Sequence, residues 1–371
     1  MKIAIIGPVY PYRGGIAHYT ARLAQEIAKR HEVKVFSFKR QYPAWLYPGR
    51  SDKDPSQKAV DVGAAYTIDS LNPLSWLHTV NEIRRYRPDV LIIEWWVTFL
   101  APAFTTIALL CRQSKIPVTF LIHNVLPHEN SRLHRPLARN TLKQGNFFIV
   151  HTPKERERLL SLIPHVKVEV CPFPLYDMSE LVSLTQVEAR RQLNIPETGH
   201  VVLFFGIVRP YKGLIYLLEA LALLREKVPD LHLVVAGEFW EDKESYQQKS
   251  DALGLSGQVR LIDSYIPDEE VGVFFRAADL VVAPYVGGTQ SAVSALALGF
   301  GTPLVATEWS AAGIDEAHNE KVRVVPSGDV NTLAEAIQAF FESPRPPDTT
   351  AELPAPSGWE TIVATIEKIA R

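Results

Sequence analysis

Four short stretches of this sequence bring together residue types that bind anions or move protons. The run Gly206-Ile-Val-Arg209-Pro-Tyr-Lys212-Gly213 follows a strand-like segment and opens a helix-like one. An arginine and a lysine three positions apart at such a junction reach a single anionic group, such as a diphosphate, near the helix start. In Thr289-Gln290-Ser291-Ala292-Val293, hydroxyl and small residues lead into an alanine-rich helix, where unhindered amides again suit a phosphate. The loop Tyr10–Gly15 ends in Gly14-Gly15, which lets backbone amides approach a phosphate or a sugar. It has neither the GxGxxG spacing of a dinucleotide fold nor the GxxxxGK[ST] of a P-loop, and paired glycines equally serve backbone geometry alone. Finally, Leu121-Ile-His123 puts an imidazole at a strand end, with His128 and Glu129 within six residues. A histidine so placed serves either packing or chemistry.

The elements that must hold these residues alternate along the chain. Lys2–Gly7 reads as a buried parallel strand, and Ile16, Tyr19, Leu23 and Ile27 share one face of a helix over Ile16–Arg30. Strands are predicted at Val33–Phe38, Asp89–Glu94, Val118–His123, Phe147–His151 and Val168–Cys171, with helices at Phe104–Arg112 and Pro153–Leu162. Pro172 and Pro174 then deny regular structure, a charged helix follows at Val187–Leu193, and the pattern restarts. The second series has strands at Val201–Phe205, Leu231–Ala236, Val259–Ile262, Leu280–Ala283, Leu304–Thr307 and Val322–Val325. Its helices are expected at Gly213–Lys227, at Tyr246–Leu253 and from about Ser291. The fold class is therefore α/β, with two open parallel sheets each covered on both faces. The expected domains are 1–185 and 186–350, and a short amphipathic helix at about 357–371 has the option of packing back on the first. In open α/β sheets, ligands bind outside the carboxyl ends of strands, which is where all four stretches lie.

Composition narrows the partners. A chain of 371 residues carries about two domains. Its 39 basic and 41 acidic residues leave a charge of −2, so it has no global field for gathering nucleic acid. Two cysteines, Cys111 and Cys171, are too few for a disulfide framework or a four-ligand zinc site. The five apolar-type residues before Gly7 are too few for a signal-peptide core, and no uncharged apolar window is long enough to span a bilayer. A cytoplasmic chain is the expectation. Asp52-Lys53-Asp54 reads as a charged turn before Pro55, so no metal and no resident cofactor are expected.

On these motifs, in this order, the chain resembles the retaining glycosyltransferases of family 4, which have the GT-B architecture. The resemblance rests on the Gly-Gly loop at 14–15, HNVLPHE at 123–129, FFGIVRPYKG at 204–213, VAGEFWED at 235–242 and TQSAV at 289–293, and it covers nearly the whole chain. It implies two Rossmann-like domains facing a cleft. It also implies metal-independent transfer of a sugar, with retention, from a nucleotide-diphosphate sugar to a glycan or lipid-phosphate acceptor. Under this resemblance Arg209 and Lys212 hold the donor diphosphate and offset charge on the leaving group. The amides around Ser291, Ala292 and Val293 bind the same diphosphate. Gly14 and Gly15 approach the donor sugar and phosphate, and His123 contacts the sugar near the reacting carbon. Ser264, Tyr265 and Ile266 line the base, while His18, His128 and Glu129 stand on the acceptor side. The family's two glutamates, eight positions apart, fall here at Gly288 and Leu296, and neither is acidic. Thr289 or Gln290 is the candidate for replacement hydrogen bonds.

Two further features look outward. Arg132, Arg135, Arg139 and Lys143 form a stripe on a helix that starts near Pro136, and the loop Tyr42–Tyr47 is unusually aromatic. Together they fit an anionic membrane or a lipid-phosphate acceptor; a solvated face and an ordinary packed loop are the simpler reading. The rival to an enzyme is a non-catalytic nucleotide-binding or scaffold protein of the same architecture. The missing glutamates favour that rival, and Arg209, Lys212 and His123 oppose it.

Overall fold

A computed structural model of the chain describes residues 1–57, 60–127, 133–176, 184–314, 320–343 and 358–370. The chain divides into two compact units, one of Met1–Pro55, Ala59–Pro172 and Gly358–Arg371, the other of Ser56–Lys58 and Phe173–Ser357.

The first unit is built on seven parallel strands: β1 (Lys2–Ile6), β2 (Glu32–Arg40), β3 (Ala65–Asp69), β4 (Val90–Trp95), β5 (Val118–Ile122), β6 (Phe147–Val150) and β7 (Lys167–Val170). Their order is β3-β2-β1-β4-β5-β6-β7. Ile3–Ile6 and Val90–Trp95 are buried along their whole length, as central strands covered by helices on both faces must be. The covering helices are α1 (Gly15–Ala28), α2 (Pro73–Tyr86), α3 (Ala101–Gln113), α4 (His134–Leu142) and α5 (Pro153–Leu162). Trp95, Phe104, Phe120 and Phe148 fill the core between α3 and the sheet. β3 and α2 fall in a stretch where the sequence reading placed no element. Exposed Leu74 and Leu77 blur the buried stripe of Trp76, Val80 and Ile83. The Asn72-Pro73 pair was the available signal, since the Asn72 side chain accepts from the Leu74 amide while Pro73 occupies the first turn.

The second unit begins earlier than the 185/186 boundary expected from sequence. The Cys171 amide still donates to Val150 of the first sheet (2.8 Å), whereas the Phe173 amide donates to Gly313 (3.0 Å). α6 (Gln186–Gln192), closed by a Thr185–Glu188 capping box, belongs wholly to this unit. Buried Arg190 ties α6 to Asp279 at 2.8 Å. The sheet has six parallel strands: β8 (His200–Phe205), β9 (Leu231–Ala236), β10 (Val259–Ile262), β11 (Leu280–Ala283), β12 (Leu304–Thr307) and β13 (Val322–Val325). Their order is β10-β9-β8-β11-β12-β13. α7 (Leu214–Leu224), α8 (Lys243–Ala252), α9 (Asp268–Ala277), α10 (Ala292–Gly299) and α11 (Val330–Glu342) complete it.

The chain then returns to the first unit as α12 (Trp359–Ala370). Trp359, Ile362, Val363, Ile366 and Ile369 form its buried face. Glu367 meets His31 at 2.8 Å, and the Trp359 ring lies 5.2 Å from that of Tyr19 on α1.

Candidate active site

Each sheet reverses strand order once, at β1/β4 in the first unit and at β8/β11 in the second. Loops leaving the two strands diverge at such a point and open a crevice at their carboxyl ends.

At β8/β11 the loop after β8 passes Arg209 and forms a 3-10 turn, Pro210–Lys212, before α7. Gly213 makes this turn possible: its φ is 73°, and a Cβ there would lie 2.0 Å from the Pro284 carbonyl oxygen. The Tyr211 carbonyl accepts from the Val286 amide (2.8 Å), which locks this loop to the one after β11. Lys212 is buried, with Nζ 5.5 Å from the Tyr285 ring centroid, and its pKa is lowered by burial first and by neighbouring Arg209 as well, with Tyr211 opposing. The Arg209 guanidinium lies 5.5 Å from the Tyr211 ring and 5.3 Å from that of Trp240. Trp240 is delivered by the GEFWED segment, which continues the β8–β9 pairing through Val208 and Phe239. On the other loop, Ser291 caps α10 by accepting from the Ser294 amide (3.2 Å), and its Oγ lies 3.4 Å from the Tyr285 hydroxyl. The first intrahelical bond runs from Ala295 to Ser291, so the Ala292 and Val293 amides precede it at the positive end of the helix. Lys212 and Val293 both border Gly206, where a Cβ would meet Nζ at 3.0 Å and the Val293 side chain at 3.3 Å. One crevice thus holds two cations and a helix start.

At β1/β4 the loop after β1 ends at Gly14, the N-cap of α1 with φ 106°. The stretch Asp52–Asp54 does not stand as an isolated turn. It pairs with this loop through a Tyr12–Lys53 bridge, the Arg13 amide on Asp52 (3.2 Å) and the Asp54 amide on Pro11 (2.9 Å). Asp54 is buried and lies 3.7 Å from His18. His123 follows β5 directly, is 4 % exposed and donates its amide to Trp95 (2.9 Å). Its Nε2 lies 3.3 Å from Oε2 of Glu94, a fully buried carboxyl on β4. Tyr19 stands edge-on to the His123 ring at 4.8 Å, and the His151 ring is 5.6 Å away. Burial pushes the Glu94 pKa well above the usual carboxylate range, with a Thr20 hydrogen bond opposing, and pushes both His123 and His151 down to about 3.

The remaining sequence candidates are spread more widely. After β10, Ser264 is exposed, Tyr265 half-buried and Ile266 buried. Thr289 is buried and Gln290 half-buried beside the start of α10. Gly288, where the family pattern has a glutamate, has φ 128°, a conformation that strains any side-chain-bearing residue. Leu296 is half-buried on α10. His128, Glu129 and Arg132 lie outside the described residues. α4 starts at His134, so Pro136 sits in its first turn and costs no helical hydrogen bond. Leu133, Arg135, Leu137 and Arg139 are all exposed there. In the aromatic loop, Tyr42 stacks on Phe99 (5.7 Å) and Tyr47 accepts from Arg13 Nε (2.9 Å), leaving Trp45 (80 % exposed) and Leu46 outward. Sequence reasoning missed Glu94. Glu94 carried a signal, being the one carboxylate in a strand otherwise apolar enough to demand burial.

Residues 14–174 match the family model for the glycosyl transferase 4-like domain, and residues 185–353 match that for glycosyl transferases group 1. A D-inositol 3-phosphate glycosyltransferase of Pseudarthrobacter chlorophenolicus is 26 % identical over 359 residues, covering 89 % of this chain and 83 % of that protein. A phosphatidyl-myo-inositol mannosyltransferase of Mycobacterium leprae is 32 % identical over 150 residues, 40 % of this chain and 39 % of the relative. Among solved structures, Anabaena HepE in complex with UDP matches with a TM-score of 0.70 at 18 % identity, over 100 % of this chain and 97 % of that one. At that identity the likeness establishes the GT-B fold of two Rossmann-like parallel-sheet domains.

Proposed function

We propose that this chain, which matches the glycosyl transferase 4-like domain over residues 14–174 and glycosyl transferases group 1 over residues 185–353, is a glycosyltransferase that moves a sugar from a nucleotide-diphosphate sugar to a glycan or lipid-phosphate acceptor with retention at the anomeric carbon. One observation carries the reading: Arg209, Lys212 and the first amides of α10 converge at the β8/β11 switch point. Two cations and a helix start suit a diphosphate and offset the charge that grows on it as it leaves. In the reaction, the bond from the anomeric carbon to the phosphate oxygen breaks and a bond to the acceptor oxygen forms on the same face. The acceptor proton passes to the departing phosphate. His123 and the Gly14-Gly15 loop are assigned to the sugar end, and Ile266 with its neighbours to the base. No resident metal takes part, so turnover persists in a chelator.

The named relatives act on inositol phosphate and phosphatidyl-inositol, which supports an acceptor bearing phosphate. No helix among the described residues is long and apolar enough to cross a membrane. The exposed leucines and arginines of α4, with outward Trp45, fit peripheral contact with an anionic surface instead.

The test is thermal stability with UDP, GDP, ADP and dTDP, repeated in Arg209→Ala and Lys212→Ala. A ligand at about 100 times its dissociation constant adds about 2.7 kcal/mol to native stability. A shift with one nucleotide that both substitutions abolish is the expected result. No shift with any nucleotide overturns the donor site and returns the scaffold reading.

A further inference from the structure

We propose that Glu94 is the positioning residue of His123: its Oε2 receives the imidazole Nε2–H, which fixes the ring and makes Nδ1 the nitrogen that meets a substrate hydroxyl. The catalytic consequence rests on the assignment of His123 to the sugar end; the contact itself does not.

Glu94 is fully buried and works through one oxygen. Oε2 lies 2.8 Å from Thr20 Oγ1 and 3.3 Å from His123 Nε2, while Oε1 has no partner among the described residues. A buried carboxyl so sparsely bonded is expensive to keep in a core where an aliphatic side chain would pack. The Thr20 hydroxyl shows how Oε2 is engaged. Oγ1 is 2.8 Å from the Ile16 carbonyl and 2.8 Å from Oε2, yet the hydroxyl has one proton and a carbonyl only accepts. That proton is shared between the two acceptors, so Oε2 receives it from Thr20. Oε2 is an acceptor there, its remaining lone pair faces His123, and Nε2 is the donor. The distance agrees: a carboxylate–imidazolium pair closes to about 2.7–2.9 Å, whereas an uncharged acid accepts more weakly from a neutral ring. Burial favours the uncharged form of both partners.

The surroundings leave the pair little freedom. A Cβ on Gly7 would come within 2.8 Å of the Thr20 side chain and 3.1 Å of Glu94 Cδ, so the approach of α1 to β4 requires glycine there. Tyr19 stands edge-on to the His123 ring and also contacts His151, whose Nδ1–H is taken by the Cys171 carbonyl at 2.9 Å. His151 is thereby committed elsewhere, and Trp359 braces Tyr19 from behind.

The experiment uses the full chain with ¹⁵N-labelled histidine and reads the His123 tautomer between pH 6 and 8. Wild type and Glu94→Gln are expected to show a single Nε2–H form that does not titrate, and Glu94→Leu a mixture of tautomers. Thr20→Val reads the same loss should the leucine variant not fold. An Nδ1–H ring in wild type, or an unchanged spectrum in both Glu94→Leu and Thr20→Val, overturns the proposal. In turnover of UDP-glucose, Glu94→Leu is expected to lower kcat at least about tenfold with KM little changed, and Glu94→Gln to restore it. Undiminished kcat in Glu94→Leu overturns the positioning role. A wild-type chain inert toward UDP-glucose rules out that probe as a donor and leaves the contact to the spectra, which decide it by themselves.

Discussion

At the β8/β11 junction the second unit gathers two cations and the start of a helix; at the β1/β4 junction the first unit gathers a carboxyl and a threonine hydroxyl, with two imidazoles from the neighbouring strand ends. The strands obey one plan in both places, yet the loops differ in how they are held. In the second unit the backbone does the holding, through Gly213 pressed on Pro284 and Tyr211 bonded to Val286. In the first, buried side chains hold one another, and burial favours the uncharged form of each. A doubly wound sheet therefore determines where a ligand goes, while the loop chemistry decides whether the place suits a polyanion or an uncharged hydroxylated group.

Glycine substitution tests this difference most severely. Gly213→Ala is expected to destabilise the chain by roughly 3–5 kcal/mol, from a left-handed backbone plus overlap with the Pro284 carbonyl. Gly14→Ala meets nothing within 4 Å and should cost only backbone strain, about 1–2 kcal/mol. Urea unfolding midpoints of the two variants check this, and equal losses would erase the contrast.

Acid offers a second test, directed at the first unit. His151 and His123 are depressed to about 3 when folded, from an ordinary value of 6.5. The stability they supply is full above pH 6.5 and falls as pH drops toward 3, because only the unfolded chain takes up the protons. Each contributes a slope approaching about 1.4 kcal/mol per pH unit in that window. Glu94, raised by burial, acts in the opposite sense: its contribution is present below its unfolded pKa and is lost as pH rises through its folded one. Melting curves from pH 6.5 to 4 should therefore be flatter in His151→Asn than in wild type. An identical slope would show that His151 takes up a proton while folded.

The smallest expected effect concerns the surface. Arg139→Ala on α4 should weaken cosedimentation with phosphatidylglycerol vesicles by about 1 kcal/mol, and the exposed Arg323 on β13 should be replaceable without effect. Equal losses would remove any preference for the first unit.

Much of this was legible before the structure. Strands buried on both faces announce themselves as apolar runs, and the motifs around Arg209 and Ser291 lie where such strands stop. Glu94 was harder, because its meaning depends on β1 and β5 flanking β4 and on α1 bringing Thr20 across. Sheet order is a long-range property that no local window contains. The pairing of Asp52–Asp54 with the loop after β1 was hidden for the same reason. At Gly288 the sequence reported a missing carboxylate, and the backbone adds that the loop has taken a shape suited to glycine.

The return of α12 to the first unit has a consequence for the order of synthesis. Trp359 braces the Tyr19 ring that stands against His123, yet it is translated only after the segment from Phe173 onward that builds the second unit. At about 5–20 residues per second, the ribosome needs roughly 10–40 s to travel from Pro172 to Gly358. During that interval the nascent first unit presents the bare flank of α1, open to chaperones and to proteases. The second unit meets no such delay, so a stalled or truncated message would yield a finished second unit joined to an unfinished first.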